Sequence, residues 1–188
     1  KVWDLPVRVF HWSLVGLMVF SWWSAEEGEM DWHMWSGLAI LTLIIFRLIW
    51  GLLGSSTARF KSFLSGPGTA LLYVKAVFSG GAPKYTGHNP MGGWVVMLML
   101  LILGAQAILG LFANDDILFD GPLTYMVSKE VSDNMTGYHH LLFNVILAVV
   151  ALHVLAALFY LFVKKDNLIR PMITGWKNRD QVPSGASV

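Results

Sequence analysis

Three histidines interrupt "TGYHHLLFNVILAVVALHVLAALFYLF" (136–162), a run that is otherwise almost wholly apolar. Imidazole binds metals and carries protons, and an ionisable side chain is costly in hydrocarbon, so His139, His140 and His153 are candidates for function. At about 100° per residue, the fourteen residues from His139 to His153 turn through about 1400°, about 40° short of four turns. These two share a helix face, about 21 Å apart along the axis. His140 is rotated about 140° from His153 and faces a neighbouring helix or lipid headgroups. Two inward imidazoles on one helix, one toward each end, suit two haem irons, each taking its second axial nitrogen from a histidine on another helix.

The elements that would position them are legible in the composition. Only 13% of the 188 residues are charged and 55% are hydrophobic, with a mean hydropathy of +0.58, where a soluble domain carries about 25% charge. Four apolar segments, about 7–25, 33–53, 93–113 and 137–163, reach the roughly 20 residues a helix needs to cross a bilayer. The expected fold is all-α: an integral membrane four-helix bundle, one domain over residues 1–188. The first apolar run is long and lacks a small-residue cleavage pattern, so it reads as a span rather than a cleaved signal. With no cysteine, covalent c-type haem, thiolate-held clusters and disulfides are excluded.

Loop charge sets the expected orientation. "EEGEMD" after the first segment has four acids and no base, and residues 114–136 carry five acids against Lys129 alone. Residues 54–91 carry Arg59, Lys61, Lys75 and Lys84 without an acid, and the tail carries Lys164, Lys165, Arg170, Lys177 and Arg179. Positive charge stays inside, which places both termini and the central loop in the cytoplasm. Trp3, Trp12, Trp22, Trp23, Trp32, Trp35, Trp50 and Trp94 sit near the span ends, as an interfacial aromatic belt requires. In the central loop "TALLYVKAVF" reads as a short amphipathic helix between the breaks "SGPG" and "SGGAP". The third loop has room for one short helical stretch, and "PSGASV" reads as flexible.

Antiparallel topology then supplies the partners. His11 lies near the inner leaflet with His153, and His33 lies near the outer leaflet with His139. Helices one and four make the inner site; helices two and four make the outer. The third span has no histidine and is expected only to pack, with Gly104 and Gly110 permitting close approach. Arg47, fourteen residues after His33, falls on the same stripe at the other end. It is either an arginine snorkelling to headgroups or a partner for a propionate of the inner haem. Arg8, one turn before His11, has a similar claim on a propionate but also counts simply as a positive-inside charge.

Together these residues resemble the prokaryotic cytochrome b561 and nickel–iron hydrogenase cytochrome b family. The resemblance covers about 160 of the 188 residues and rests on "RVFHW", "HMWSGLAILTLIIFRLIWG", "YHHLLFNVILAVVALHVLAALF" and "KKDNLIRPM" in this order and spacing. It implies that His11, His33, His139 and His153 ligate two b-type haems, in agreement with the helical wheel. It also implies membrane electron transfer in a bacterial inner membrane, commonly between the quinone or quinol pool and a redox partner such as a cytochrome c or a hydrogenase-type subunit. "GHNPMGGW" resembles a loop of partner-associated members. Nucleic acid is not an expected partner.

The expected mechanism is a bis-histidine di-haem electron conduit with no catalytic residue, because both axial positions are filled. Quinone chemistry at a haem edge would need a proton-handling group. Asp4, Arg8 and His88 are the inner-face candidates, Asp31 and His140 the outer-face ones, and loop and interfacial readings compete for the two histidines. The rival readings are a stand-alone quinol or superoxide oxidoreductase, a membrane anchor that retains haem, and a haem-free transporter or metal channel. The last lacks a polar stripe or broken helix to provide a path.

Overall fold

The computed structural model describes residues 2–83, 85, 87–117 and 119–177; Lys84, Arg179 and the "PSGASV" tail lie outside them. Four long helices carry the chain: α1 (Leu5–Glu26), α2 (Met30–Leu53), α4 (Pro90–Leu111) and α5 (Lys129–Phe162). All four are long and apolar enough to cross a membrane. Between α2 and α4 lies the short α3 (Pro67–Phe78), and α6 (Ile169–Thr174) follows α5. No strand is present among the described residues.

Each start has a local cause. The Asp4 carboxylate accepts the Val7 N–H at 2.9 Å, and Pro6 falls in the first turn, where a missing N–H costs little. In "HNP" the Asn89 side chain accepts the Gly92 N–H at 2.7 Å, and Pro90 is the first residue of α4. The expected short helix in the central loop is α3, with Pro67 at its start.

The longest departure from the expected spans is α5, which begins at Lys129 rather than near 137. Its first turns are too polar to read as membrane helix, yet side chains hold them. The Ser132 hydroxyl, 1% exposed, donates to the Phe112 carbonyl at 2.7 Å. The Asn114 amide donates to Ser132 Oγ at 2.5 Å, and Thr136 Oγ1 accepts the Asn114 N–H at 3.0 Å.

Packing groups the described chain into two compact units, and every long helix contributes to both. One is drawn from Phe10–Phe46 and Met99–Ala151. Its buried apolar residues are Phe10, Leu14, Ile40, Ile44, Leu100, Leu103 and Ile146. The other is drawn from the described parts of Lys1–Val9, Arg47–Leu98 and Leu152–Val188. Its core of Val2, Trp3, Val7 and Ala58 packs against Trp50 and Met172. A buried Lys177–Asp166 ion pair at 2.8 Å and a Lys177 bond to the Tyr85 carbonyl at 3.0 Å tie the segment after α6 to the central loop. The Tyr73 and Tyr160 hydroxyls, 2.9 Å apart, tie α3 to α5.

Candidate functional site

In the unit of Phe10–Phe46 and Met99–Ala151, His33 and His139 face one another. Their ring centres are 6.0 Å apart with planes at 87°. His33 Nδ1 lies 2.8 Å from the Ser21 carbonyl, with Ser21 Oγ a second acceptor at 3.1 Å. His139 Nδ1 lies 3.0 Å from the Gln106 carbonyl. A carbonyl only accepts, so in both rings Nδ1 carries the proton and Nε2 keeps its lone pair. The Gln106 amide confirms the direction of one lone pair by donating to His139 Nε2 at 3.1 Å. Two imidazoles are thus held by main-chain carbonyls with Nε2 unprotonated, the arrangement that orients metal-bound histidine; in His139 a metal would displace the Gln106 amide from that nitrogen.

α4 does more than the packing expected of it. It supplies Gln106, and at Gly110 a Cβ would stand 3.1 Å from His139 Cε1, so any added side chain would press the imidazole to move by a few tenths of an ångström. At Gly104 a Cβ would meet Ile44 Cγ2 at an ordinary 3.8 Å. Gln106 is the single polar side chain in "MLMLLILGAQAILGLF", a signal that an intramembrane amide has a partner. Nothing in the sequence marks Ser21 among the serines of α1. His140 is exposed, its carbonyl taking the Asn144 amide at 3.2 Å, as its wheel position requires. Asp31 is exposed beside Trp32 and Trp35 on a surface groove. His11 is half-buried, with the Trp12 ring edge-on at 5.0 Å.

The other unit holds His153, exposed on α5, and a set of charged side chains with unusual surroundings. Arg47 is 3% exposed, which rules out snorkelling. Its Nη2 donates to the Ala58 carbonyl at 3.1 Å and its guanidinium lies 4.9 Å from the Phe60 ring centre, a cation–π contact. Its Nη1 is buried and has no partner. Phe60 reaches this position across Gly51, where a Cβ would sit 2.1 Å from the ring. Arg8 donates to the Ile173 carbonyl at 2.6 Å, near the C-terminal end of α6, where a cation is favoured.

Asp4 is fully engaged rather than poised for proton transfer. Besides Val7 it accepts from Trp50 Nε1 at 2.9 Å and Ser55 Oγ at 2.6 Å. Burial pushes its carboxyl up, but the Ser55, Val7 and Trp50 hydrogen bonds and the charge of Arg47 outweigh that and hold it below the usual carboxylate range. His88 is not a simple loop residue. Its ring is wedged between Trp3, 4.5 Å away, and Phe63, 4.6 Å away, and its Nδ1 is buried without a partner. Burial, then the Arg47 charge and His153, push it down to about 4, so the ring is neutral at pH 7.

A family model described as prokaryotic cytochrome b561 matches residues 2–175. The chain belongs to that family. This cytochrome is therefore a multi-pass, b-type electron-transfer protein of the bacterial inner membrane. It is 27% identical over 177 residues to a probable superoxide oxidase, CybB, of Yersinia pestis, covering 87% of this chain and 90% of the relative. It is 24% identical over 212 residues to a probable Ni/Fe-hydrogenase B-type cytochrome subunit of Rhizobium leguminosarum bv. viciae, covering 93% of this chain and 87% of the relative. No solved structure matches it.

Proposed function

We propose that this cytochrome holds two b-type haems, each between two histidines, and passes single electrons between the quinone or quinol pool and a redox partner protein. The observation that carries the reading is the His33–His139 pair. Two metal–imidazole bonds of about 2 Å each, plus two ring radii, span about 6 Å, and the ring centres are 6.0 Å apart. His11 and His153, the remaining span histidines that the sequence pattern pairs, are assigned to the other haem, and the loop charges support a cytoplasmic position for both termini.

A haem iron between two imidazoles supplies one-electron transfer with no open position for oxygen or substrate. The chain's own residues do the rest. The Ser21 and Gln106 carbonyls fix the tautomer of His33 and His139 and raise the basicity of their ligating nitrogens. The Arg47 Nη1–H, buried and unpartnered, supports an ion pair with a propionate. Gly110→Val is expected to push His139 off its position. The haem lost should be the one bound by His33 and His139, read as reduced haem content per chain.

The test of the reading is a reduced-minus-oxidised spectrum with pyridine haemochrome quantification on the purified chain. Two low-spin b haems per chain are expected; a colourless protein, or one haem, overturns it. The Yersinia relative's name favours a stand-alone oxidase instead. Quinol is expected to reduce the haems of the purified chain without turnover until an electron acceptor protein is added. Steady quinol or superoxide turnover by the chain alone would establish the oxidase.

A further inference from the structure

His88 is left without a role by the conduit. It stands in the first turn of neither neighbouring helix, yet its ring is fixed on two sides by Trp3 and Phe63. Two aromatic rings packed on an imidazole at 4.5 and 4.6 Å restrict its orientation. Nδ1 is the buried nitrogen, and it has no partner among the described residues. A buried polar atom left unpaired costs about 1–3 kcal/mol, so the slot works against the stability of the chain unless a group arrives to complete it.

The same unit contains a second atom in the same condition, Arg47 Nη1. Arg47 is held on its other edge by the Ala58 carbonyl and below by Phe60, so Nη1 is the edge left to bind. His88 and Arg47 flank one aromatic pair: the His88 ring lies 4.6 Å from Phe63, the Phe63 ring 5.9 Å from Phe60, and the Arg47 guanidinium 4.9 Å from the centre of Phe60. Among the described residues, the carboxylate that acts on Arg47 is Asp4, which is already saturated by Val7, Trp50 and Ser55. A guanidinium edge and an imidazole nitrogen, both buried and both unsatisfied, form a two-donor set for one carboxylate when Nδ1 carries the ring proton.

We propose that His88 Nδ1–H and Arg47 Nη1–H together clamp a propionate carboxylate of the haem ligated by His153, with Trp3 and Phe63 acting as the jaws that hold the imidazole. This rests on the two-haem reading above and extends it to His88, which binds the cofactor's periphery rather than its iron. The clamp would set the potential of that haem alone. A carboxylate with two donors presents less negative charge to the iron, which favours the ferrous state; removing one donor favours the ferric state.

The test is His88→Phe, which fills the slot between Trp3 and Phe63 but has no N–H, compared with His88→Asn, whose amide N–H comes near the position of Nδ1. Both haem potentials are measured by spectroelectrochemistry, and the propionate bending bands by resonance Raman on quinone-free protein. In His88→Phe, both haems are retained, one propionate band shifts, and the reduction equilibrium of the haem that survives in His139→Ala falls about three- to tenfold. The other haem is unchanged, and His88→Asn stays near wild type. Unmoved bands and potentials in His88→Phe overturn the clamp while leaving the two-haem reading intact. Unmoved bands with a raised quinol KM would assign His88 to a quinone oxygen and overturn it as well. If His88→Phe does not fold, His88→Asn decides alone, because bands displaced despite the restored donor overturn it. A wild-type protein without haem removes the underlying reading, and the clamp with it.

Discussion

His139→Ala is expected to lower the haem content of the purified chain by about half, because an iron that loses one of two protein ligands in a hydrocarbon interior is held by one imidazole alone. His33→Ala should do the same, since the two rings face each other at 6.0 Å. His140→Ala should leave the content unchanged, because that side chain is exposed and makes no contact with the pair beyond its ring lying 6.3 Å from that of His139. The measurement is pyridine haemochrome per chain, with the low-spin optical bands as a second readout. Retention of both haems in His139→Ala would mean that another group ligates the iron. Loss in His140→Ala would mean that the register of α5 differs from the one described.

Asp4→Ala is expected to be the most destabilising single change outside the histidines. Its carboxylate receives three donors, from Val7, Trp50 and Ser55, and acts electrostatically on Arg47, which is 3% exposed. Removing the acceptor strands donors and leaves a buried guanidinium without its counter-charge, a loss of about 3 kcal/mol. It should appear as a lower midpoint in thermal denaturation in detergent, followed by tryptophan fluorescence. Asp4→Asn, which keeps one acceptor oxygen, should lose less. The pH dependence follows from the sign of the shift. The folded carboxyl is held below its ordinary value, so its contribution is fully present above the unfolded pKa of about 4 and is lost as pH falls through the folded one. Wild type should therefore lose stability below about pH 4 by an increment that Asp4→Asn lacks. Equal acid sensitivity in the two would show that Asp4 is not ionised in the fold.

The four membrane helices and the choice of His139 over His140 are both properties of local pattern. Apolar runs must become helices in lipid because no water is available to satisfy the backbone, and a 3.6-residue period assigns faces without reference to any neighbour. Lone polar residues carry the same kind of information, and Gln106 in α4 was readable in that way. The extra turns of α5 were not, because Ser132 and Thr136 are helical through bonds to Phe112 and Asn114, whose proximity depends on how the loop folds back.

The tautomers of His33 and His139 were likewise outside the reach of the sequence. They depend on which carbonyl each Nδ1 meets, and Ser21 is twelve residues from its histidine while Gln106 is thirty-three from its own. The sequence left Arg47 with two readings and Asp4 and His88 as candidate proton groups. Burial decided against snorkelling, and three donors turned Asp4 into a structural anchor. Two aromatic rings from distant segments turned a loop histidine into a confined imidazole with an unsatisfied buried nitrogen. Periodicity states which way a side chain faces. What it meets there is set by segments far away along the chain, and only tertiary packing brings them within hydrogen-bond range.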